Sequence, residues 1–134
     1  MTKQVIVIRK DLKMRRGKEI AQGSHASMKF IVDELQEMGW FKRLLYLFIG
    51  KNYFDKDQQD WMFNNAFKKV CVVVNSEEEL LTVHETALKL GLTSKLITDS
   101  GHTEFKNVPT NTCIAIGPHH EIMFTGVTDK LKLY

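Results

Sequence analysis

At 134 residues with 43% hydrophobic side chains, the chain is long enough for one domain with its own core and too apolar for wholesale disorder. Its formal charge of +3, from 19 Lys and Arg against 16 Asp and Glu, is too mild to indicate nucleic acid by itself. No run nears the roughly 20 apolar residues that span a bilayer, and the N-terminus lacks the charged, apolar and small-residue segments of a signal peptide, so a soluble, cytoplasmic protein with no membrane partner is expected.

The β-branched run "QVIVIR" (4–9) predicts a buried strand, and "KDLKMRRG" a polar connection. A helix is expected from about Gly17 to Met38. At roughly 100° per residue, Ile20, Ala21, Met28, Ile31, Val32, Leu35 and Met38 share one broad face, with Lys18, Gln22, His25 and Lys29 in a narrow stripe beside it. Gly23, Ser24, Ala26 and Ser27 are small enough for another backbone to come close. The aromatic-rich stretch 41–67 has no sharp period. It extends the helix or forms a second, shorter one, and its aromatics are expected in core and lid packing before base stacking.

"KKVCVVVN" (68–75) predicts a second strand. "SEEELLTVHETALKLG" is a helix capped by Ser76, with acids in its first turn and Gly91 after its end. "TSKLIT" (93–98) and "PTNTCIAIGP" (109–118) supply the third and fourth strands, and "HHEIMFTGVT" a short helix or turn. Cys71 and Cys113 lie in strand-like runs and read as buried thiols, not as a disulfide. The order describes an α/β domain with helices on its sheet faces and an antiparallel pairing of the third and fourth strands.

Ligands in open α/β sheets bind beyond the carboxyl ends of strands. The first strand exits into "KDLKMRRGK" and the third into "DSGHT". If those strands are parallel neighbours, Lys18 and Asp99 meet at one edge. Lys18 opposes the helix dipole; it either points into water, binds an anionic oxygen or pairs with Asp99. Asp99 either closes a turn through backbone N–H groups or orients a water or a lysine, and the two roles are compatible. His25 reads as structural support before catalyst. His119 and His120 are adjacent and lack partners at zinc-ligand spacing, and "MRRGK" lacks the glycines of a phosphate loop. The basic run from Arg9 through Lys13, Arg15 and Arg16 to Lys18 is either a solvated surface or a phosphate-binding strip.

"QVIVIRKDLKMRRGKEIAQGSHAS", "LGLTSKLITDSGHTEF", "TCIAIGP" and "VTDKLKLY" resemble, in that order, the peptidyl-tRNA hydrolase 2 family. The likeness covers nearly the whole chain outside 41–67, and the DLxMxxGKxxAQxxHA spacing is specific. It implies a single α/β domain with a four-stranded mixed sheet between helices, a cofactor-free hydrolysis of the ester joining a peptide to the terminal ribose of tRNA, and a homodimer. Carried over by motif, it implies Lys18, Gln22, Asp99, Thr103 and Thr112 as catalytic. On this reading Asp99 handles water, Lys18 steadies the oxyanion, the threonines hold water or ribose, and Gln22 orients the peptide carbonyl. Arg9, Lys13, Arg15, Arg16, His25 and His102 would contact the RNA. Three positions depart from the usual pattern: Ser100 stands for Ala, His102 for Arg and Asp129 for Gly. Stretch 41–67 is longer than expected. The rival expectations are a fold-sharing module that binds without turnover and a small-phosphate-binding domain.

Overall fold

The computed structural model describes residues 1–49 and 54–134. The elements are β1 (Thr2–Arg9), α1 (Arg16–Glu37), α2 (Trp40–Ile49), α3 (Lys56–Phe63), β2 (Lys69–Val74), α4 (Glu77–Lys89), β3 (Ser94–Asp99), β4 (Thr110–His120), a 3-10 turn (Glu121–Phe124) and β5 (Lys132–Leu133). One mixed sheet runs in the order β3-β4-β1-β2-β5. It has five strands, not the expected four. The fifth is two residues of the terminal "DKLKLY", too short to show a period, and is defined by pairing Leu133 with Val72 and Lys132 with Val73.

β1 pairs with β2 in parallel and with β4 antiparallel, and β3 pairs antiparallel with β4. β1 and β3 therefore point the same way with β4 between them. They are parallel but not the neighbours the sequence suggested. Their carboxyl ends still emerge on one edge.

Alternation along β1 divides the core. Val5 and Val7 join Val72, Val74, Ile114 and Ile116 against Leu80, Ala87 and Phe124. Ile6 and Ile8 join Cys113 and Ala115 against Met14 and Ala26. α4 covers the first side and α1 the second. Ser76 caps α4 by accepting from the Glu79 N–H at 3.1 Å, while Glu79 reaches back to the Asn75 N–H at 2.7 Å.

α1 does not pack on its broad apolar face. Ile20, Met28, Val32 and Leu35 are exposed, and Gln22, Gly23, Ala26, Ser27 and Phe30 are buried. Small side chains let the helix settle close to the sheet: a Cβ on Gly23 would lie 3.9 Å from Ile6 Cγ2. The buried Gln4 amide clamps this contact, donating to Ser27 O at 3.1 Å and accepting from Ser27 Oγ at 2.6 Å. This close seating fixes the rotation of α1, and so the direction in which Lys18 and Gln22 project.

Stretch 41–67 divides in two. Trp61 of α3 is buried, edge-on to Phe30 with ring centroids 6.1 Å apart, as core packing predicts. Phe41, Phe48, Phe63 and Phe67 are exposed, against that expectation. Cys113 is buried and its thiol is pushed up to about 12 by desolvation, whereas Cys71 is exposed because α1 covers β1, β4 and β3 but leaves β2 open.

Candidate active site

Lys18 projects from the first turn of α1 and Asp99 from the last residue of β3. Lys18 Nζ lies 2.5 Å from Asp99 Oδ2, with the side chains 15% and 11% exposed. The pair is thus screened from bulk water but reachable. Lys18 Nζ also donates to Thr103 Oγ1 at 3.0 Å and sits 5.7 Å from the centre of the Phe105 ring. Gln22 Nε2 donates to Asp99 Oδ2 at 3.0 Å.

Asp99 Oδ1 accepts the Gly101 N–H at 2.9 Å, so the turn role and the lysine-holding role coexist. The Lys18 hydrogen bond, opposed by partial burial and aided by the Gly101 N–H, holds the Asp99 carboxyl below its ordinary range. The loop after β3 is a compact ring: Phe105 N and Asn107 N both donate to Gly101 O, at 3.1 and 3.0 Å. Gly101 has φ +84° and packs so tightly that a Cβ would fall 2.2 Å from Val108 O. Only glycine allows that turn.

Thr112 does not reach the cleft. It is 0% exposed, on β4 beneath α1, and its Oγ1 donates to Gln22 Oε1 at 2.6 Å. The expected contact with water or ribose is corrected: Thr112 fixes the rotamer of Gln22. Cys113 Sγ adds a contact to Gln22 O at 3.3 Å. Gln22 in turn has its carbonyl held by Thr112 and one N–H on Asp99, so it orients the carboxylate.

The basic strip separates into two kinds of residue. Arg9 is 9% exposed and bonded to Asp11 Oδ2 at 2.7 Å and to Asn111 O at 3.0 Å. It joins the ends of β1 and β4, which corrects its expected place on RNA. Arg15 is exposed but held at 2.6 Å by Glu104, whose carboxyl that hydrogen bond keeps below its ordinary range. Lys13 and Arg16 are exposed and line a cavity of about 850 Å³ with Lys10, Met14 and Ile20, over the uncovered part of the sheet. His25 is exposed and lines a second groove, about 550 Å³, that runs between α1 and β3 to Asp99. His102 is exposed, with Nδ1 3.0 Å from Asn107 Oδ1. Lys29, last of the stripe, is paired with Asp33 at 3.0 Å.

Sequence reasoning passed over Phe105 and Glu104, and read Cys113 as a buried thiol without a tie to Gln22. Phe105 and Glu104 sit in the quoted "DSGHTEF" block, but nothing in their spacing shows which way the loop folds back. Among the described residues no three His, Cys, Asp or Glu side chains gather to hold a metal ion.

A lysine and a carboxylate in contact, with a glutamine and a hydroxyl aimed at them beyond the carboxyl ends of parallel strands, are a candidate active site on an α/β sheet. Comparison with known proteins makes the class specific. The family model described as Peptidyl-tRNA hydrolase PTH2 matches residues 2–134. Proteins named peptidyl-tRNA hydrolase are 36% identical over 132 residues in Methanothermobacter thermautotrophicus, 35% over 131 in Methanocaldococcus jannaschii and 38% over 133 in Methanopyrus kandleri. Each alignment covers at least 98% of this chain and 98% of the relative. The chain belongs to the peptidyl-tRNA hydrolase PTH2 family.

Proposed function

We propose that this chain hydrolyses the ester between a peptide and the 3′-terminal ribose of tRNA, with Lys18 and Asp99 at the reacting centre. The observation that carries the role assignment is the half-enclosed Lys18–Asp99 contact at 2.5 Å. An ammonium group has three N–H donors. Asp99 and Thr103 take one each, leaving one to meet the oxyanion that develops on the ester carbonyl. Asp99 already accepts from Lys18, Gln22 and Gly101, which leaves room for one water proton on Oδ1. A carboxylate held this acidic is a weak base. Asp99 therefore aims the attacking water and positions Lys18, and the proton that the water gives up passes to the ribose oxygen as the ester C–O bond breaks. Thr103, its oxygen already accepting from Lys18, keeps its O–H free for the water or the ribose. Gln22 and Thr112 are positioning residues.

Release of labelled peptide from peptidyl-tRNA tests this. Lys18→Ala and Asp99→Ala are expected to lose about 10²–10³-fold in kcat with the fold retained, the usual loss for one oxyanion donor. Near-normal turnover in both folded variants refutes the assignment, and wild-type binding without peptide release favours a binding module. The homodimer belongs to the same reading, supported by the family likeness and by the exposed Ile20, Met28, Val32 and Leu35 on α1. Sedimentation of wild type beside Met28→Glu tests it: a monomeric wild type sinks it. A cytoplasmic place of action follows from the proposed substrate.

A further inference from the structure

α2 carries an exposed apolar arc. At roughly 100° per residue, Trp40, Phe41, Leu44, Leu47 and Phe48 fall within about 120° of its circumference. They are 77%, 60%, 46%, 78% and 82% exposed. Among the described residues no α2 side chain joins either hydrophobic cluster, and a described tie to the body is Arg43 Nε donating to Leu35 O at 3.0 Å. A ten-residue helix with its apolar side in water is marginal, because helices of this length draw stability from burying that side. A cover would stabilise this one.

Charge and position say what. From 39 to 54 the sequence holds three cations, Lys42, Arg43 and Lys51, and no acid. An anionic surface takes the apolar arc into its acyl boundary while Lys42 and Arg43, which lie off the arc, reach its headgroups, and a Trp and Phe arc on one side with Lys and Arg off it is the composition of helices that lie in lipid interfaces. α1 begins beside Asp99 and runs about 33 Å, at 1.5 Å per residue, before α2 follows. α2 therefore lies at the end of the molecule away from the Lys18–Asp99 cleft, where an anionic surface does not compete with an anionic RNA.

We propose that α2 is a docking helix for anionic phospholipid membranes, lying on the surface without spanning it. No helix among the described residues is long and apolar enough to cross a bilayer. The proposal departs from the sequence expectation of no membrane partner and is independent of the ester chemistry.

The test is flotation of the full chain with vesicles of equal parts phosphatidylglycerol and phosphatidylcholine, beside pure phosphatidylcholine. Wild type is expected to float with the anionic vesicles, less so with the neutral ones, and to lose binding as salt is added. Leu44→Ser with Phe48→Ser should weaken partitioning by at least about tenfold while leaving peptide release in solution unchanged. Brominated lipid should quench exposed Trp40 and spare buried Trp61. Wild type that stays unbound by both vesicle types overturns the proposal. So does a double-serine variant that floats like wild type. Concentration-dependent self-association abolished by the same two substitutions would assign the face to a second copy instead.

Discussion

Of the contacts that hold the Asp99 carboxyl below its ordinary range the Lys18 ammonium is the largest, and removing it has a definite sign. In Lys18→Met the largest acidifying contact is gone while the desolvation of Asp99 remains. The carboxyl should titrate higher than in wild type, and carboxyl-carbon NMR of Asp99 across acid pH reads it directly. An unchanged titration would mean that the Gly101 and Gln22 bonds suffice. The same shift links to stability. A carboxyl that titrates below its ordinary range when folded stabilises the fold above that range, and the contribution is lost as pH falls through the lowered value. Lys18→Met should therefore flatten the acid side of the stability curve. Thr112 acts one layer further down. Thr112→Val keeps the shape but strands the buried Gln22 carbonyl, which costs about 1–3 kcal/mol. Because Gln22 aims Asp99, kcat should fall while KM holds, and Thr112→Ser should restore both. Equal kcat in all three proteins would reduce Thr112 to a packing residue.

At the level of elements, the loop after β3 is built to hold one carboxylate, and Gly101 is its weakest point. A Cβ there meets Val108 O at 2.2 Å with φ at +84°, so Gly101→Ala must shift the ring and withdraw the N–H from Asp99. A loss on the order of 2 kcal/mol in urea denaturation is expected, with a larger proportional loss in peptide release. Wild-type kinetics in that variant would show that Asp99 needs no loop. How much of this was legible beforehand differs by element. Strands β1, β2 and β4 announce themselves by β-branched runs, and α4 by Ser76 and its acidic first turn. The Lys18–Asp99 meeting was readable because Asp99 closes β3 and Lys18 lies beyond the end of β1, a strand of the same sense. The seating of α1 was not, since hydrophobic spacing points to Ile20 and Met28 while Gly23 and the Gln4–Ser27 clamp decide. That choice depends on how closely two backbones approach, which periodicity does not encode. The burial of Thr112 and Arg9 is likewise a tertiary matter: polar residues near strand ends look the same in sequence whether they face solvent or a neighbouring strand.

For the molecule as a whole, the basic N-terminal strip resolves into residues that hold the fold and residues free to meet phosphate. Lys13 and Arg16 are exposed beside the open part of the sheet, on the flank of α1 that borders the 850 Å³ cavity. Arg9 is committed to Asp11 and Asn111. Each phosphate neutralised releases counterion, so log affinity falls with log salt by about 0.7 to 0.9 per contact. Lys13→Ala and Arg16→Ala should each raise KM for peptidyl-tRNA at low salt and lower the salt slope by about 1, leaving kcat and stability near wild type. Arg9→Ala should do the reverse, with an unchanged slope and a stability loss of about 1–3 kcal/mol from the unpaired ends of β1 and β4. The measurement is KM across a salt series for the three variants beside their urea midpoints. A reduced slope in Arg9→Ala alone would return that residue to the RNA and leave Lys13 and Arg16 as ordinary solvated cations. A reduced slope in the other two alone would run the acceptor stem along the α1 flank opposite Asp99, so that the ester reaches Lys18 over the start of the helix.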